Sequence, residues 1–168
     1  ISKVLNNCNK TKLMGILTHA GHSYASNDQN EISSIAKKER EEVLLAAKNV
    51  LKFNQDPPII SIGSTPTLLF SSELNQISEI RAGIYMFWDL AQASRGICKV
   101  EDIAVTVLAS VISHNYEKKK IIIDAGALAL SKDTSANKYM PEAGFGLVCN
   151  PDTGVPFLDL NIAEIHQE

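Results

Sequence analysis

Residues 60–67, with the sequence ISIGSTPT, combine residue types that can bind an anion. The isoleucines predict a buried strand, and Gly63, Ser64 and Thr65 follow at its end. Such a turn can present backbone N–H groups and two hydroxyls to one phosphate group. It matches neither a Walker loop nor the Gly-x-Gly-x-x-Gly fingerprint, so it does not indicate a nucleoside triphosphate or NAD. Phosphate binding and an ordinary strand-exit turn both stay open.

A second turn of similar character follows at residues 81–85, with the sequence RAGIY. Gly83 would allow a ligand to approach the backbone closely. Arg81 could neutralise an anion, or it could only pair with Glu79 or Asp89. Two anion-ready turns in one domain favour a phosphorylated cofactor over a packing accident.

The loop at residues 19–24 holds His19, His22 and Tyr24. A metal site needs more ligands than two histidines, and no third ligand lies nearby in sequence. Histidine and tyrosine can also hydrogen-bond to a cofactor ring and stack on it. A polar wall for such a ring is therefore the favoured interpretation of this loop, and a metal site is the alternative.

Other reactive side chains carry weaker signals. Asp124 stands at a strand exit before two small residues, where it could be a structural cap or an active-site contact. Lys132 lies in a polar loop, whereas a Schiff-base lysine is usually desolvated, so we do not select it. The cysteines are odd in number and widely spaced, at Cys8, Cys98 and Cys149. They indicate free thiols in a reducing, cytoplasmic compartment, and a catalytic thiol is disfavoured.

Composition excludes several classes of protein. The chain has 168 residues, of which 45% are hydrophobic and 21% charged, as in ordinary globular proteins. Its formal net charge of -3 argues against nucleic-acid binding, and its basic run, residues 118–120, is expected to be a solvated loop. No apolar run reaches the roughly 18–20 residues of a membrane span.

The first ninety or so residues alternate strand and helix. Residues 13–18 predict a buried strand, residues 29–53 a helix after the capping residues 26–28, and residues 59–62 a second strand. The predicted helix has an apolar stripe formed by Ile32, Ile35, Ala36, Val43, Ala47, Val50 and Leu51. Residues 77–80 and 84–88 predict further extended segments around Gly83. This order indicates an α/β fold with a parallel sheet, whose sites lie in the loops after the strands.

The pattern changes near Gly96, after which β-type segments dominate. These segments cover residues 103–113, 120–126, 145–149 and 157–165. We therefore predict a division into residues 1–96, which are α/β, and residues 97–168, which are mostly β. The chain begins with Ile1 and ends in a strand-like alternation, so we expect it to be part of a longer protein.

Four motifs in order carry a resemblance to a known family: residues 18–24 (THAGHSY), 63–67 (GSTPT), 81–90 (RAGIYMFWDL) and 124–133 (DAGALALSKD). Over residues 13–168 the chain resembles the D-threonine aldolase and eukaryotic-type D-serine dehydratase family. These are pyridoxal-phosphate enzymes of the alanine-racemase-like fold type. The resemblance implies the C-terminal part of a (β/α)8 barrel, at residues 1–96, followed by part of a mostly-β domain, at residues 97–168.

The resemblance also assigns roles to residues. The loops after two successive late barrel strands would hold the cofactor phosphate, and Tyr24 would lie near the pyridine ring, on a wall shared with His19 and His22. The implied cofactor-binding residues are Tyr24, Gly63, Ser64, Thr65, Gly83, Ile84 and Tyr85. The family's Schiff-base lysine would lie upstream of Ile1, so no catalytic residue is assigned in this chain.

This sequence departs from the family pattern at several positions. Ile84 replaces an asparagine and Ala127 a tryptophan found in many relatives, which alters the expected pocket. The family's metal pair, a histidine followed two positions later by cysteine or aspartate, would lie downstream. His166 is followed at that offset by Glu168 and does not match, so no metal ligand is assigned in this chain.

The function implied by resemblance is that of a lyase dependent on pyridoxal 5'-phosphate and on zinc or manganese. It would act on D-3-hydroxy amino acids as a homodimer, by retro-aldol cleavage or by dehydration, and the isolated chain would be inactive. A pyridoxal-phosphate racemase that needs no metal is one alternative. A non-catalytic pyridoxal-phosphate carrier is another, although carriers of this fold lack the β region. A plain α/β domain without cofactor is the third.

Overall fold

The computed structural model describes residues 1–53 and 58–167, which form two compact units, Ile1–Tyr85 and Met86–Glu168. The units divide before the change of pattern near Gly96, and the assignment of domains to residues 1–96 and 97–168 stays a prediction. No helix of the described residues combines the length and the apolarity that crossing a lipid bilayer requires.

The first unit is built on a parallel sheet of three strands, β1 (Gly15–Leu17), β2 (Ile59–Gly63) and β3 (Glu79–Arg81), with β2 in the centre. The α/β class predicted from the sequence is confirmed. The strand predicted over residues 13–18 is shorter than expected and is not buried, since the side chain of Leu17 is 68% exposed.

Three helices accompany this sheet: α1 (Ser2–Asn6), α2 (Gln29–Leu51) and α3 (Thr65–Leu69). The long helix α2 begins where predicted, because the carboxylate of Asp28 accepts the backbone N–H of Asn30 at 2.8 Å. It packs against β1, β2 and α3. Its buried residues recur every three or four positions along one face: Ile32, Ala36, Glu39, Val43 and Ala47.

The connections after β2 and β3 differ from the prediction. The chain leaves β2 at Gly63 and enters α3 almost at once, at Thr65. The prediction of an extended segment over residues 84–88 is wrong, because Ile84–Met86 is a 3-10 turn. The sequence also predicts that the proline pair Pro57-Pro58 stops the helix before β2, and Pro57 lies outside the described residues.

The second unit contains a short helix, α4 (Leu90–Ser94), and two antiparallel pairs of strands. β4 (Val111–Asn115) pairs with β5 (Lys120–Ile123), and β6 (Leu147–Cys149) pairs with β7 (Pro156–Asn161). Strands therefore occur within or beside each predicted β-type segment. The prediction of one long strand over residues 103–113 is wrong, because residues 103–110 form no regular element. β5 has four residues, and within the described part of the chain it pairs only with β4, which starts at Val111.

Candidate anion-binding site

The three parallel strands end at one edge of the sheet, and the predicted site residues follow these ends. Leu17 is paired with Ser61, and Gly63 is paired with Arg81. Beyond β1, the N–H of Thr18 donates to the carbonyl of Ser61 at 3.0 Å, which keeps this loop against β2. Loops that leave the same edge of a parallel sheet are the usual place for a ligand site in α/β folds.

Gly63 occupies a position with no room for a side chain. A Cβ atom there would lie 2.9 Å from Nη2 of Arg81 and 3.2 Å from Nδ1 of His19. It would also lie 3.3 Å from the carbonyl oxygen of Arg81. The backbone of β2 is thus approached from two sides, and only glycine fits without displacing a neighbour.

Ser64 holds an uncommon backbone conformation, with φ 121° and ψ 132°. A non-glycine residue at this φ is strained. The side chain compensates, since Oγ of Ser64 accepts the backbone N–H of Thr67 at 3.2 Å and so caps α3. The same oxygen lies 3.1 Å from the hydroxyl of Ser23 and 2.8 Å from that of Thr67. All three side chains are buried.

Glu39 lies beneath this turn and is a residue that the sequence analysis missed. It is only 8% exposed, and its two carboxylate oxygens accept the hydroxyls of Thr18 and Thr67, each at 3.0 Å. The glutamate therefore connects the loop after β1 to the turn after β2. A signal was present in the sequence, because Glu39 is in register with Ala36 and Val43 on the apolar face of α2.

Thr65 carries the site's unsatisfied group. Its Oγ1 atom is buried and has no hydrogen-bond partner among the described residues. Its backbone N–H donates to the phenol oxygen of Tyr24 at 3.4 Å. A buried hydroxyl without a partner is costly and rare in native proteins. Its presence beside Gly63 fits a turn that receives a hydrogen-bonding ligand such as a phosphate group.

The loop after β1 places two rings beside the turn. The rings of His19 and Tyr24 are stacked, with centroids 6.2 Å apart and an interplanar angle of 21°. His22 is exposed. Within residues 1–53 and 58–167, no group of three or more His, Cys, Asp or Glu side chains could hold a metal ion.

Arg81 braces the same region. Its Nη2 donates to the carbonyl oxygen of Thr18 at 2.6 Å, and its Nη1 donates to the hydroxyl of Ser61. The guanidinium thus spans from β3 across β2 to the end of β1. In the described part of the chain it bonds these groups rather than Glu79 or Asp89, the pairings that the sequence suggested.

The turn after β3 is more exposed than the turn after β2. Gly83 is exposed, and a Cβ atom there would meet nothing within 4 Å. Ile84 is partly exposed, and Tyr85 is 51% exposed. The structure therefore brings Tyr24, Gly63, Ser64 and Thr65 together. It places residues 83–85 at the exit of the neighbouring strand, and no hydrogen bond between described residues joins them to the turn after β2.

Asp124 and Cys98, two of the candidate residues from the sequence, lie in the second unit. Oδ1 of Asp124 accepts the backbone N–H of Ser110 at 2.8 Å, a contact of the kind expected for a structural cap. Burial, followed by the nearby carboxylates of Asp102 and Asp89, raises the pKa of the Cys98 thiol to about 11. A thiol with this pKa is a poor nucleophile at neutral pH.

Comparison with known proteins gives several relatives. A serine dehydratase domain model matches residues 104–168. D-threo-3-hydroxyaspartate dehydratase from Delftia sp. (strain HT23) is 40% identical over 139 residues, which cover 83% of this chain and 37% of that protein. D-serine dehydratase from Dictyostelium discoideum is 35% identical over 146 residues, with the same two coverages.

Solved structures agree with these relatives. The Delftia dehydratase superposes with a TM-score of 0.84 at 37% identity over 94% of this chain and 41% of that chain, and a mutant of it has been solved in a metal-free form. An ala racemase-like protein from Idiomarina loihiensis gives a TM-score of 0.83 at 37% identity, over 92% of this chain and 41% of that one. This chain spans roughly two fifths of the length of these relatives.

The parallel sheet with its candidate site at the strand ends, together with these structural matches, defines an alanine-racemase-like α/β protein. Within that class, the chain belongs to the eukaryotic-type D-serine dehydratase family.

Proposed function

We propose that the full-length protein containing this chain is a lyase, dependent on pyridoxal phosphate and a divalent metal, that dehydrates D-3-hydroxy amino acids. The observation that carries this proposal is the turn after β2, which contains the close-packed Gly63 and the buried hydroxyl of Thr65, a group with no partner among the described residues. The relatives are named dehydratases of D-serine and D-threo-3-hydroxyaspartate, which supports dehydration over retro-aldol cleavage.

This chain's part in the reaction would be to bind and orient the cofactor. The turn at residues 63–65 would take the cofactor phosphate, with the turn at residues 83–85 closing on it from the next strand. Tyr24 and His19 would form the wall beside the ring, because their own rings are stacked at the same strand edge. When bound, the cofactor supplies an electron sink for negative charge at the substrate α-carbon, and the metal polarises the β-hydroxyl.

Rigid support for this turn comes from two directions. Arg81 holds the end of β1 against β2, and Glu39 holds the hydroxyls of Thr18 and Thr67 from below. A phosphate bound between groups that are already fixed loses less ordering entropy than one bound by mobile groups. The chain would therefore act as an anchor that aims the reactive end of the cofactor at the substrate.

The larger architecture is also part of the proposal. We take residues 1–96, which include β1–β3 and their helices, as the C-terminal part of the (β/α)8 barrel, and residues 97–168 as part of the β domain. The chemistry would need a lysine and metal ligands supplied outside this chain. The full-length protein would be a cytoplasmic homodimer, for which the family resemblance is the support.

The test uses the full-length protein supplied with pyridoxal phosphate. D-serine, D-threo-3-hydroxyaspartate and D-threonine are offered in parallel with their L-enantiomers, and ammonia, keto acids, glycine and aldehydes are measured. We expect ammonia and a keto acid from at least one D-substrate, with loss of activity on chelation and recovery on adding zinc or manganese.

The rival functions give different products. Glycine and an aldehyde from D-threonine would identify an aldolase. Interconversion of enantiomers that a chelator does not affect would identify a racemase. Bound cofactor without turnover would indicate a carrier, and no cofactor binding at all would overturn the proposal. Turnover by the isolated 168-residue chain would contradict its expected inactivity.

A further inference from the structure

Four buried or half-buried hydroxyls around the turn form one hydrogen-bonded series that ends on Glu39. The hydroxyl of Ser23 lies 3.1 Å from Oγ of Ser64, which lies 2.8 Å from Oγ1 of Thr67. Thr67 in turn donates to Oε2 of Glu39 at 3.0 Å, and Thr18 donates to Oε1 from the other loop. Three of these four contacts join residues at least 21 positions apart in sequence, so the series is a property of the fold.

The number of hydroxyl protons determines which group donates and which accepts in each hydrogen bond of this series. A hydroxyl has one proton to donate, whereas a carboxylate oxygen only accepts. The carbonyl of Ser64 is a second acceptor for Thr67, but at 3.4 Å it is longer than the charge-assisted bond to Glu39. Because the proton of Thr67 is directed to Glu39, Ser64 must donate to Thr67. Ser23 must then donate to Ser64.

The direction decides which hydroxyl can serve an anion. Oγ of Ser64 accepts from Ser23 and from the backbone N–H of Thr67, and its only proton is committed to the hydroxyl of Thr67. It has nothing left to donate. The hydroxyl of Thr65, which is buried and has no partner among the residues that the structure describes, keeps its proton uncommitted.

We propose that Glu39 is a positioning residue: it orients the hydroxyl protons beneath the turn, so that Ser64 supports the backbone and Thr65 donates to the phosphate. This inference rests on the proposed function, in which the turn binds the phosphate of pyridoxal phosphate. The hydroxyls of Ser64 and Thr65 are neighbours in sequence, yet the first would support the backbone and the second would bind the phosphate. Glu39, which is buried on α2 and does not touch the ligand, would thereby contribute to the recognition of the phosphate.

The first experiment measures how strongly the full-length apo-protein prefers pyridoxal phosphate to pyridoxal, by titration of each. The ratio of the two dissociation constants reports on the phosphate contacts alone. Thr65→Val should lower the preference at least about tenfold, since a bond to a charged group is lost, and the control Thr65→Ser should retain it. Ser64→Ala should lower it by at most about threefold, while lowering the melting temperature because the helix cap is lost.

The second experiment tests the role of Glu39. In a Glu39→Ala background the proton of Thr67 is released, so that of Ser64 becomes free to reach the anion. Ser64→Ala should then lower the phosphate preference several-fold more than it does in the wild-type background. Thr67→Val removes the acceptor of the Ser64 proton and gives the same comparison if Glu39→Ala does not fold. A merely structural glutamate would change the melting temperature without producing this coupling.

The outcomes separate the inference from the proposed function. Equal losses for Ser64→Ala and Thr65→Val, or no coupling between Ser64 and Glu39, would overturn the positioning role and leave the cofactor proposal standing. A wild-type protein that shows no preference for pyridoxal phosphate over pyridoxal would overturn both.

Discussion

The turns after β2 and β3 leave neighbouring parallel strands, yet they are built in opposite ways. Residues 61–67 are all buried, and the turn they contain is joined by side chains to α2 and to the loop after β1. The turn after β3 is open, with an exposed Gly83 and a half-exposed Tyr85. One turn is fixed before any ligand arrives, while the other retains freedom to adjust.

The difference indicates a division of labour within one ligand site. A fixed turn defines where an anion is held, because its groups do not move when the anion binds. An exposed turn can change its conformation at little cost, because few contacts hold it in place. Substitutions should therefore have large effects at the first turn and small effects at the second.

The largest expected effect comes from Gly63→Ala, with Gly83→Ala as the matched control. The added methyl group at Gly63 meets Arg81 and His19 at sub-contact distances, which should cost about 1–3 kcal/mol of unfolding free energy and weaken pyridoxal-phosphate binding at least tenfold. The same methyl at Gly83 meets nothing, so unfolding free energy should change by less than about 0.5 kcal/mol. Urea unfolding and cofactor titration measure both effects. Equal losses of unfolding free energy in the two variants would contradict the difference between the fixed turn after β2 and the open turn after β3.

Arg81→Met tests whether the fixed turn depends on its brace from β3. The substitution removes hydrogen bonds to the carbonyl of Thr18 and the hydroxyl of Ser61, and it should destabilise the protein by about 1–2 kcal/mol. Lys38→Met removes the same charge from an exposed position on α2 and should be nearly neutral. If both variants unfold at the same urea concentration, the brace contributes nothing.

A smaller difference is expected between two tyrosines. Tyr24→Phe leaves the backbone N–H of Thr65 without its phenol acceptor and should cost about 0.5–1.5 kcal/mol. Tyr85→Phe alters a half-exposed residue of the open turn and should cost almost nothing in the absence of ligand. Thermal unfolding of the ligand-free variants compares the two. A greater loss for Tyr85→Phe would reverse the assignment of rigid and open turns.

The most subtle difference is in amide hydrogen exchange. The N–H of Thr67 is buried and bonded to Oγ of Ser64, whereas Gly83 lies on the surface. We expect exchange at Thr67 to be slower by at least about tenfold in the ligand-free protein, with protection at Gly83 rising once the cofactor is added. NMR or mass spectrometry of peptides covering each turn gives the rates. Similar rates at both positions would argue against a fixed turn.

Local signals in the sequence were sufficient for the elements that carry the site. The cap at Asp28, the apolar stripe of α2 and the β-branched strand at residues 59–62 each reflect interactions between residues close in sequence. Their order was enough to indicate the parallel sheet. The grouping of Gly63, Ser64 and Thr65 followed from the strand-exit position.

Long-range contacts were the part that could not be predicted. The role of Glu39 was missed, because its partners Thr18 and Thr67 lie in loops whose positions depend on the assembled sheet. β-propensity alone also overstated the strand at residues 103–113, since a strand needs a partner to accept its hydrogen bonds. Local residue types were also insufficient at residues 84–88. Their apolar content indicated an extended segment, whereas the structure has a 3-10 turn there.

The backbone conformation of Ser64 has a consequence for which residues natural variants and engineered libraries can carry there. At φ 121° most side chains would add a strain of about 1–3 kcal/mol without compensation, and glycine would relieve the strain but lose the cap. Serine accepts the strain and gains the bond to Thr67. We therefore expect the most stable variants from a saturation library at this position to be enriched in serine and glycine, so the backbone conformation restricts sequence divergence at position 64.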